Sequence, residues 1–428
     1  MAASFSFDPT KYYRLPWSLT DNGISWLEVT TRCNLTCKGC YRDQSKEGHK
    51  SLKEIEEDLA VFKKERKSDC MSIAGGDPLV HPKIVEIVRM IKEGGWKPIV
   101  NTNGLALSKN LLQKLKEAGV FGFTFHVDTS QVRKDTNAKC EVELNNLRHK
   151  FAQMLGDVGG ISCSFNQTVT GETLDQVSEV VRWSQQYPDI VHAVVFILFR
   201  EPALMGNYDY YAQGKKINMN STYSHTEFAG RRLLKSADVV NKIREQDPDF
   251  EPSAYLGGTV DPHSAKWLIG VRVGSRSKTY GYITPRFMEL VQDGYHVMYN
   301  RWLSYSSPSF LRLGRSSALT FATFDKGMRS IARNYVRDCV KKPSTLLQPA
   351  YFQTFTIIQP IDLLSDGQAN MCDGCPDMTV YKGKMYWSCR LEEIKEYGSF
   401  VSCVPRTNLK HIEPKATVRK QEQLPASP

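Results

Sequence analysis

Between residues 25 and 200 the chain alternates two kinds of hydrophobic pattern. Six short runs rich in β-branched and aromatic residues, "ISWLEVT", "CMSIAGGDP", "KPIVNTNG", "FGFTFHVDTS", "GISCSFNQTV" and "VHAVVFILF", predict strands. Between them apolar residues return at steps of three and four, as Leu52, Ile55, Leu59 and Phe62 do, which predicts amphipathic helices. Ser51, with Glu54 three residues on, makes a capping box for the first of these. Further helices are expected from near His81, Ser108, Glu141 and Thr173, and Gly94 and Gly119 are placed to end two of them. Strands alternating with helices in this way pair in parallel, with the helices outside. The pattern therefore predicts an α/β fold, a partial (βα)6 TIM-like barrel over residues 25–200, with functional residues at the C-terminal ends of its strands.

The rest of the chain reads differently. Residues 1–24 form an N-terminal extension, 201–345 a middle substrate or insertion region, 346–410 a small cysteine-rich domain, and 411–428 a polar, proline-containing tail expected to be disordered. In the middle region His263, Tyr210 and Tyr211 are polar or aromatic candidates, but such residues more often pack, and no catalytic role follows.

Charge changes the picture in one place. Residues 301–342 hold nine Lys or Arg against two Asp, so +7 of the net +10 lies there. Phe321, Phe324, Met328, Ile331 and Tyr335 step by three and four, while Arg329, Arg333 and Arg337 step by four on the opposite side of a helix. Such a helix either meets an anionic membrane surface or acidic partner, or is a core helix with a solvated basic back. The remaining composition is that of a soluble protein, 41% hydrophobic and 24% charged, with no run long enough to span a bilayer and no signal-peptide pattern at its start. A cytoplasmic location is expected, peripheral to the inner face of the membrane if the basic segment docks there, and no nucleic-acid partner is expected.

There are 11 cysteines. In a reducing compartment, clustered thiols point to metal rather than disulfides. Cys33, Cys37 and Cys40 follow the first strand directly, on the loop at the functional rim. Thiolates select zinc, copper(I) or iron–sulfur clusters, and a structural zinc site normally closes with four ligands where this loop offers three. Cys70 and Cys163 in strands and Cys140 at a helix start are ordinary. A second group, Cys372, Cys375, Cys389 and Cys403, follows a stretch almost without cysteine; a CxxC knuckle precedes a hairpin with Gly383 at its turn.

The CxxxCxxC loop after strand one, with "GGDP" after strand two, resembles the radical S-adenosylmethionine (SAM) superfamily. The resemblance implies that Cys33, Cys37 and Cys40 hold a [4Fe–4S] cluster whose fourth iron is chelated by SAM, and that reductive cleavage of SAM gives a 5′-deoxyadenosyl radical that abstracts hydrogen from an unactivated C–H bond. It assigns Gly75, Gly76 and Asp77 to SAM, the glycines letting the backbone approach it. Gly39 stands where the family has an aromatic residue, and Tyr41 follows the last cysteine instead. Asp128 or Thr129 and Asn166, at the ends of strands four and five, are placed to meet the ribose or carboxylate of SAM, or else to cap helices. Cys375, Gly383 and Cys389 resemble the auxiliary-cluster (SPASM or twitch) extensions of some members, which implies a second iron–sulfur cluster on Cys372, Cys375 and Cys389. Cys403 is the nearest fourth ligand, Cys339 can replace it, or the site stays open for substrate, and a four-thiolate zinc ribbon is the alternative. A one-electron donor such as flavodoxin or ferredoxin is implied as partner. The expected substrate is a lipid or membrane-associated molecule, with peptide maturation or a small metabolite as alternatives, and a non-enzymatic zinc-binding protein as the alternative of another class.

Overall fold

The computed structural model describes residues 4–40, 42, 48–200, 208–218 and 233–406. Six strands, β1 (Ile24–Thr30), β2 (Cys70–Gly75), β3 (Lys97–Thr102), β4 (Gly122–His126), β5 (Ser162–Val169) and β6 (Ala193–Leu198), lie side by side in chain order, all parallel. Helices α1 (Leu52–Glu65), α2 (Ile84–Glu93), α3 (Lys109–Glu117), α4 (Glu141–Val158) and α5 (Val177–Gln185) connect them. The Ser51–Glu54 capping box is present at the start of α1. The left-handed position after α2 falls to Gly95, at φ +90°, while Gly94 stays right-handed, so the stop lies one residue later than expected.

Alternation along the strands sorts the two faces. Val29, Ile73, Val100, Phe125, Phe165 and Phe196 are buried in the core beneath the helices, and Phe125 stacks on Phe151 of α4 with ring centroids 4.8 Å apart. The other face is polar. Register aligns Asn101 with Thr124 and Thr124 with Ser164, and one step further His126 with Asn166.

The sheet does not stop at β6. Three later strands, β7 (Ala254–Leu256), β8 (Trp267–Gly274) and β9 (Tyr351–Ile358), continue it: β9 runs parallel to β6, with Thr354 opposite Ala193, β8 is antiparallel to β9, and β7 antiparallel to β8. Segments read from sequence as a middle region and a C-terminal unit thus share one sheet with the barrel. A hairpin, β10 (Met378–Tyr381) and β11 (Lys384–Trp387), packs against β1. Its two turn residues, Lys382 and Gly383, both have positive φ, as a tight hairpin turn requires.

The basic segment holds three helices, Pro308–Leu311, Gly314–Phe321 and Lys326–Lys341, and Asp325 caps the last through the Met328 N–H. Met328, Ile331 and Tyr335 are buried against Tyr280, Ile283 and Phe287. The apolar stripe therefore faces the core rather than a membrane, and Phe321 and Phe324 precede the helix that was to carry them. No helix among the described residues is long and apolar enough to cross a membrane.

Candidate radical SAM site

The thiol loop is held from two sides. Thr36–Cys37 pairs antiparallel with Gln131–Val132, just beyond β4, and the Asn103 amide, beyond β3, reaches Cys33 Sγ at 3.8 Å and Asn34 Oδ1 at 2.7 Å. Burial, with Cys40 and Asp128 adding, pushes the Cys37 thiol well above its ordinary range, and burial raises Cys33 with Asp77 and Cys40 adding. Thiols held protonated in this way ionise when a cation arrives, since metal binding displaces their protons. Three soft thiolate donors on one loop at the C-terminal end of β1 are a donor set that suits an iron–sulfur cluster.

Gly75 and Gly76 act on the same loop. A Cβ on Gly75, at φ +127°, would stand 2.0 Å from the Thr30 carbonyl oxygen, and one on Gly76 2.2 Å from that of Arg32. Their bareness lets the end of β2 lie directly beneath the start of the thiol loop, where Gly76 N–H donates to Thr30 O and Asp77 N–H to Arg32 O, both at 2.8 Å. Asp77 is buried, and its carboxylate accepts from Thr102 Oγ1 and the N–H groups of Asn103 and Leu79. It ties β3 to the loop and has these donors on both oxygens. Tyr41 lies outside the described residues.

At the end of β4 the structure adds a residue that strand-end reasoning passed over. His126 Nε2 donates to Asp128 at 2.6 Å, and Asp128 also accepts from Ser130 and from the Thr168 N–H. Burial works against charge on Asp128, but His126 and these donors hold its carboxyl well below the ordinary range; burial lowers His126, and Asp128 more than offsets it, so the imidazole titrates above its usual value. Asp128 is thereby occupied inside the fold, while His126 and Asn166 stand on the polar inner face. Thr129 donates its hydroxyl to Glu141 at 2.8 Å, and buried Glu141 pairs with buried Arg148. Thr129 is thus a brace for α4.

The C-terminal thiols come together in part. Cys372 and Cys375 are in hydrogen-bond reach of one another, and Cys389 lies in their field. Burial, with Cys372 adding, raises the Cys389 thiol to about 12. Three buried cations stand around them. Among the described residues Arg66 donates to the backbone carbonyls of Leu19, Ile24, Cys375 and Pro376, Lys266, in the field of Cys372, pairs with Asp362 at 2.6 Å, and Arg390, beside Cys389, pairs with Glu393. The buried charge of Arg66, held on carbonyls, suits an anionic thiolate cluster. Cys403 lies in Ser402–Pro405, paired opposite Tyr210 and within the fields of the same Arg390 and Glu393 that act on Cys389, and Cys339 is buried in Lys326–Lys341.

Residues 27–212 match the model of the family described as the radical SAM superfamily. These residues make up a radical SAM domain within the chain. The chain is 27% identical over 177 residues to a 7,8-dihydro-6-hydroxymethylpterin dimethyltransferase of Methanocaldococcus jannaschii, covering 40% of this chain and 35% of that protein. It is 25% identical over 178 residues to a probable GTP 3′,8-cyclase of Methanococcus maripaludis, covering 41% and 59%. The chain thus spans between about a third and three-fifths of these relatives' lengths. Among solved structures, Streptococcus suis SuiB bound to the precursor peptide SuiA aligns with a TM-score of 0.38 at 17% identity, over 54% of this chain and 46% of that one.

Proposed function

We propose that the protein cleaves SAM reductively and abstracts hydrogen from an unactivated C–H bond of a substrate held on the polar inner face of the sheet. The carrying observation is the half-buried triad of Cys33, Cys37 and Cys40, with Gly75 and Gly76 beneath its loop. Cluster and SAM, when bound, supply a 5′-deoxyadenosyl radical from one electron delivered by a donor such as flavodoxin or ferredoxin. The chain's own residues position and exclude water: Asn103 steadies Cys33, Asp77 fixes the loop, and His126 and Asn166 offer polar contacts to SAM or substrate. The C-terminal thiols hold an auxiliary cluster.

The polar lining favours a polar metabolite or peptide segment over a hydrocarbon chain. A second reading, a substrate presented at a membrane, draws on a different surface from the buried stripe. Phe310, Leu313, Leu319, Phe324, Val336, Val340, Leu346 and Leu347 are exposed on residues 308–347, among that segment's arginines. The test of the main reading is anaerobic purification followed by iron, sulfide and zinc analysis, with dithionite-driven formation of 5′-deoxyadenosine. The parent forms it and Cys33→Ala does not; zinc without sulfide overturns the assignment.

A further inference from the structure

The thiol loop is bare of side chain at Gly39, between Cys37 and Cys40, and a residue from the far end of the parallel strands lies against it there. Gly39 has φ +72°, and a Cβ on it would stand 2.5, 3.0 and 3.6 Å from three carbons of the Phe199 ring, its nearest neighbours. Phe199 directly follows β6, and its N–H donates to the Val169 carbonyl at 2.9 Å, so the ladder with β5 continues through it. Phe196 and Leu198 are buried beneath the helices. Alternation therefore turns Phe199 to the inner face, with its side chain half-buried. The contact joins the residue after β6 to the loop after β1, across the mouth of the six parallel strands. From the β4 side, the Lys38 N–H donates to the Ser130 carbonyl at 2.8 Å, and Thr36–Cys37 pairs with Gln131–Val132. The second half of the loop is thus held between a backbone ladder and an aromatic ring. A side chain on Gly39 would displace that ring, which gives the glycine's place in the loop a physical reason.

We propose that Phe199 is a positioning residue for the N-terminal cluster, holding the loop between Cys37 and Cys40 and keeping water from iron bound there. This rests on the iron–sulfur reading of Cys33, Cys37 and Cys40, whose side chains are only half-buried by the chain itself. A reduced cluster carries added negative charge, which water stabilises, so an apolar ring beside it lowers the reduction potential. Excluding water also limits side reactions at the iron.

The experiment uses the full chain, reconstituted anaerobically. The electron paramagnetic resonance signal that moves when SAM is added reports the N-terminal cluster, since an iron open to SAM responds to it. Phe199→Ala is expected to keep its circular dichroism, to raise the midpoint potential of that signal, and to lose iron several-fold faster in air. Phe199→Leu, which keeps an apolar side chain, stays near the parent. Gly39→Ala strains the backbone in either background, but loses more iron with Phe199 present than in the Phe199→Ala chain, where the methyl has room. A parental potential and parental iron loss in Phe199→Ala overturn the proposal, as does an equal loss for Gly39→Ala in both backgrounds. Should Phe199→Ala load no N-terminal cluster, Phe199→Leu carries the test: a loaded site near the parental potential supports the role, and a departure from it overturns it. If the parent itself shows no signal that responds to SAM, the cluster reading fails, and this proposal with it.

Discussion

Arg42 donates to Glu392 at 3.1 Å across 350 residues of chain. It also pairs with Glu28 on β1, and all three side chains are buried. One guanidinium, two residues past the thiol loop, therefore ties that loop and the first strand to the helix Leu391–Tyr397, which begins just after Cys389.

Changing Arg42 to Met leaves buried Glu28 without this cation and Glu392 with Lys395, at 3.7 Å. Breaking a buried pair in this way costs about 3–5 kcal/mol. Thermal unfolding of the anaerobic protein should show a clear loss for Arg42→Met and a smaller one for Glu392→Gln, which leaves Glu28 in place. A parental melting temperature in both variants would show that this link carries no stability.

Gly76→Ala places a methyl 2.2 Å from the Arg32 carbonyl oxygen, backbone that cannot yield without moving the thiol loop. The expected outcome is loss of the N-terminal cluster's share of the iron, about half if both sites are cubanes, with the C-terminal share retained. Full iron content in Gly76→Ala would mean that the loop has room to spare.

His126 gives a pH signature. Its folded-state pKa lies above the ordinary histidine value, so its pairing with Asp128 contributes stability that is fully present below the unfolded value of about 6.5 and is lost as pH rises through the higher folded value. His126→Gln should therefore be destabilised more at pH 6 than at pH 9. A melting-temperature deficit that stays constant, or grows, with pH would contradict the pairing.

The exposed arginines test the membrane reading. Arg329, Arg333 and Arg337 lie on the outer side of Lys326–Lys341, where Val340 is 78% exposed. Each basic residue near an anionic leaflet contributes about 1 kcal/mol. Co-sedimentation should favour anionic over neutral vesicles, weaken with salt, and fall at least tenfold when the three become Gln. Equal binding by parent and variant would remove this segment as an anchor and leave the polar-substrate reading alone.

What was legible in the sequence was local. The capping box at Ser51 and Glu54, the six strands and the thiol loop each declare themselves within a dozen residues, and the structure has them in place. Side chains whose partners lie far along the chain did not. Asp128 looked like a cofactor contact because strand ends usually face the site, but its neighbours His126 and Thr168 take up its oxygens. Gly75 and Gly76 were expected to make room for a ligand; the Thr30 and Arg32 carbonyls show that they make room first for another loop. The period of Met328, Ile331 and Tyr335 was readable, but which surface they meet depended on Tyr280 and Phe287 from other elements. The pairing of Cys403 with Tyr210, nearly two hundred residues away in the chain, could not be read from the cysteine spacing.

The seat of β9 between β6 and β8 has a consequence for biosynthesis. A ribosome releases β6 long before it makes Tyr351–Ile358, and until then the nascent chain carries a bare row of N–H and C=O groups along that border. Pairings so distant in the chain form slowly, and an uncovered border invites association with other chains in the interval. The first half of the chain therefore keeps an open sheet border until the second half is translated, and residues 27–212 expressed alone should be recovered as aggregate.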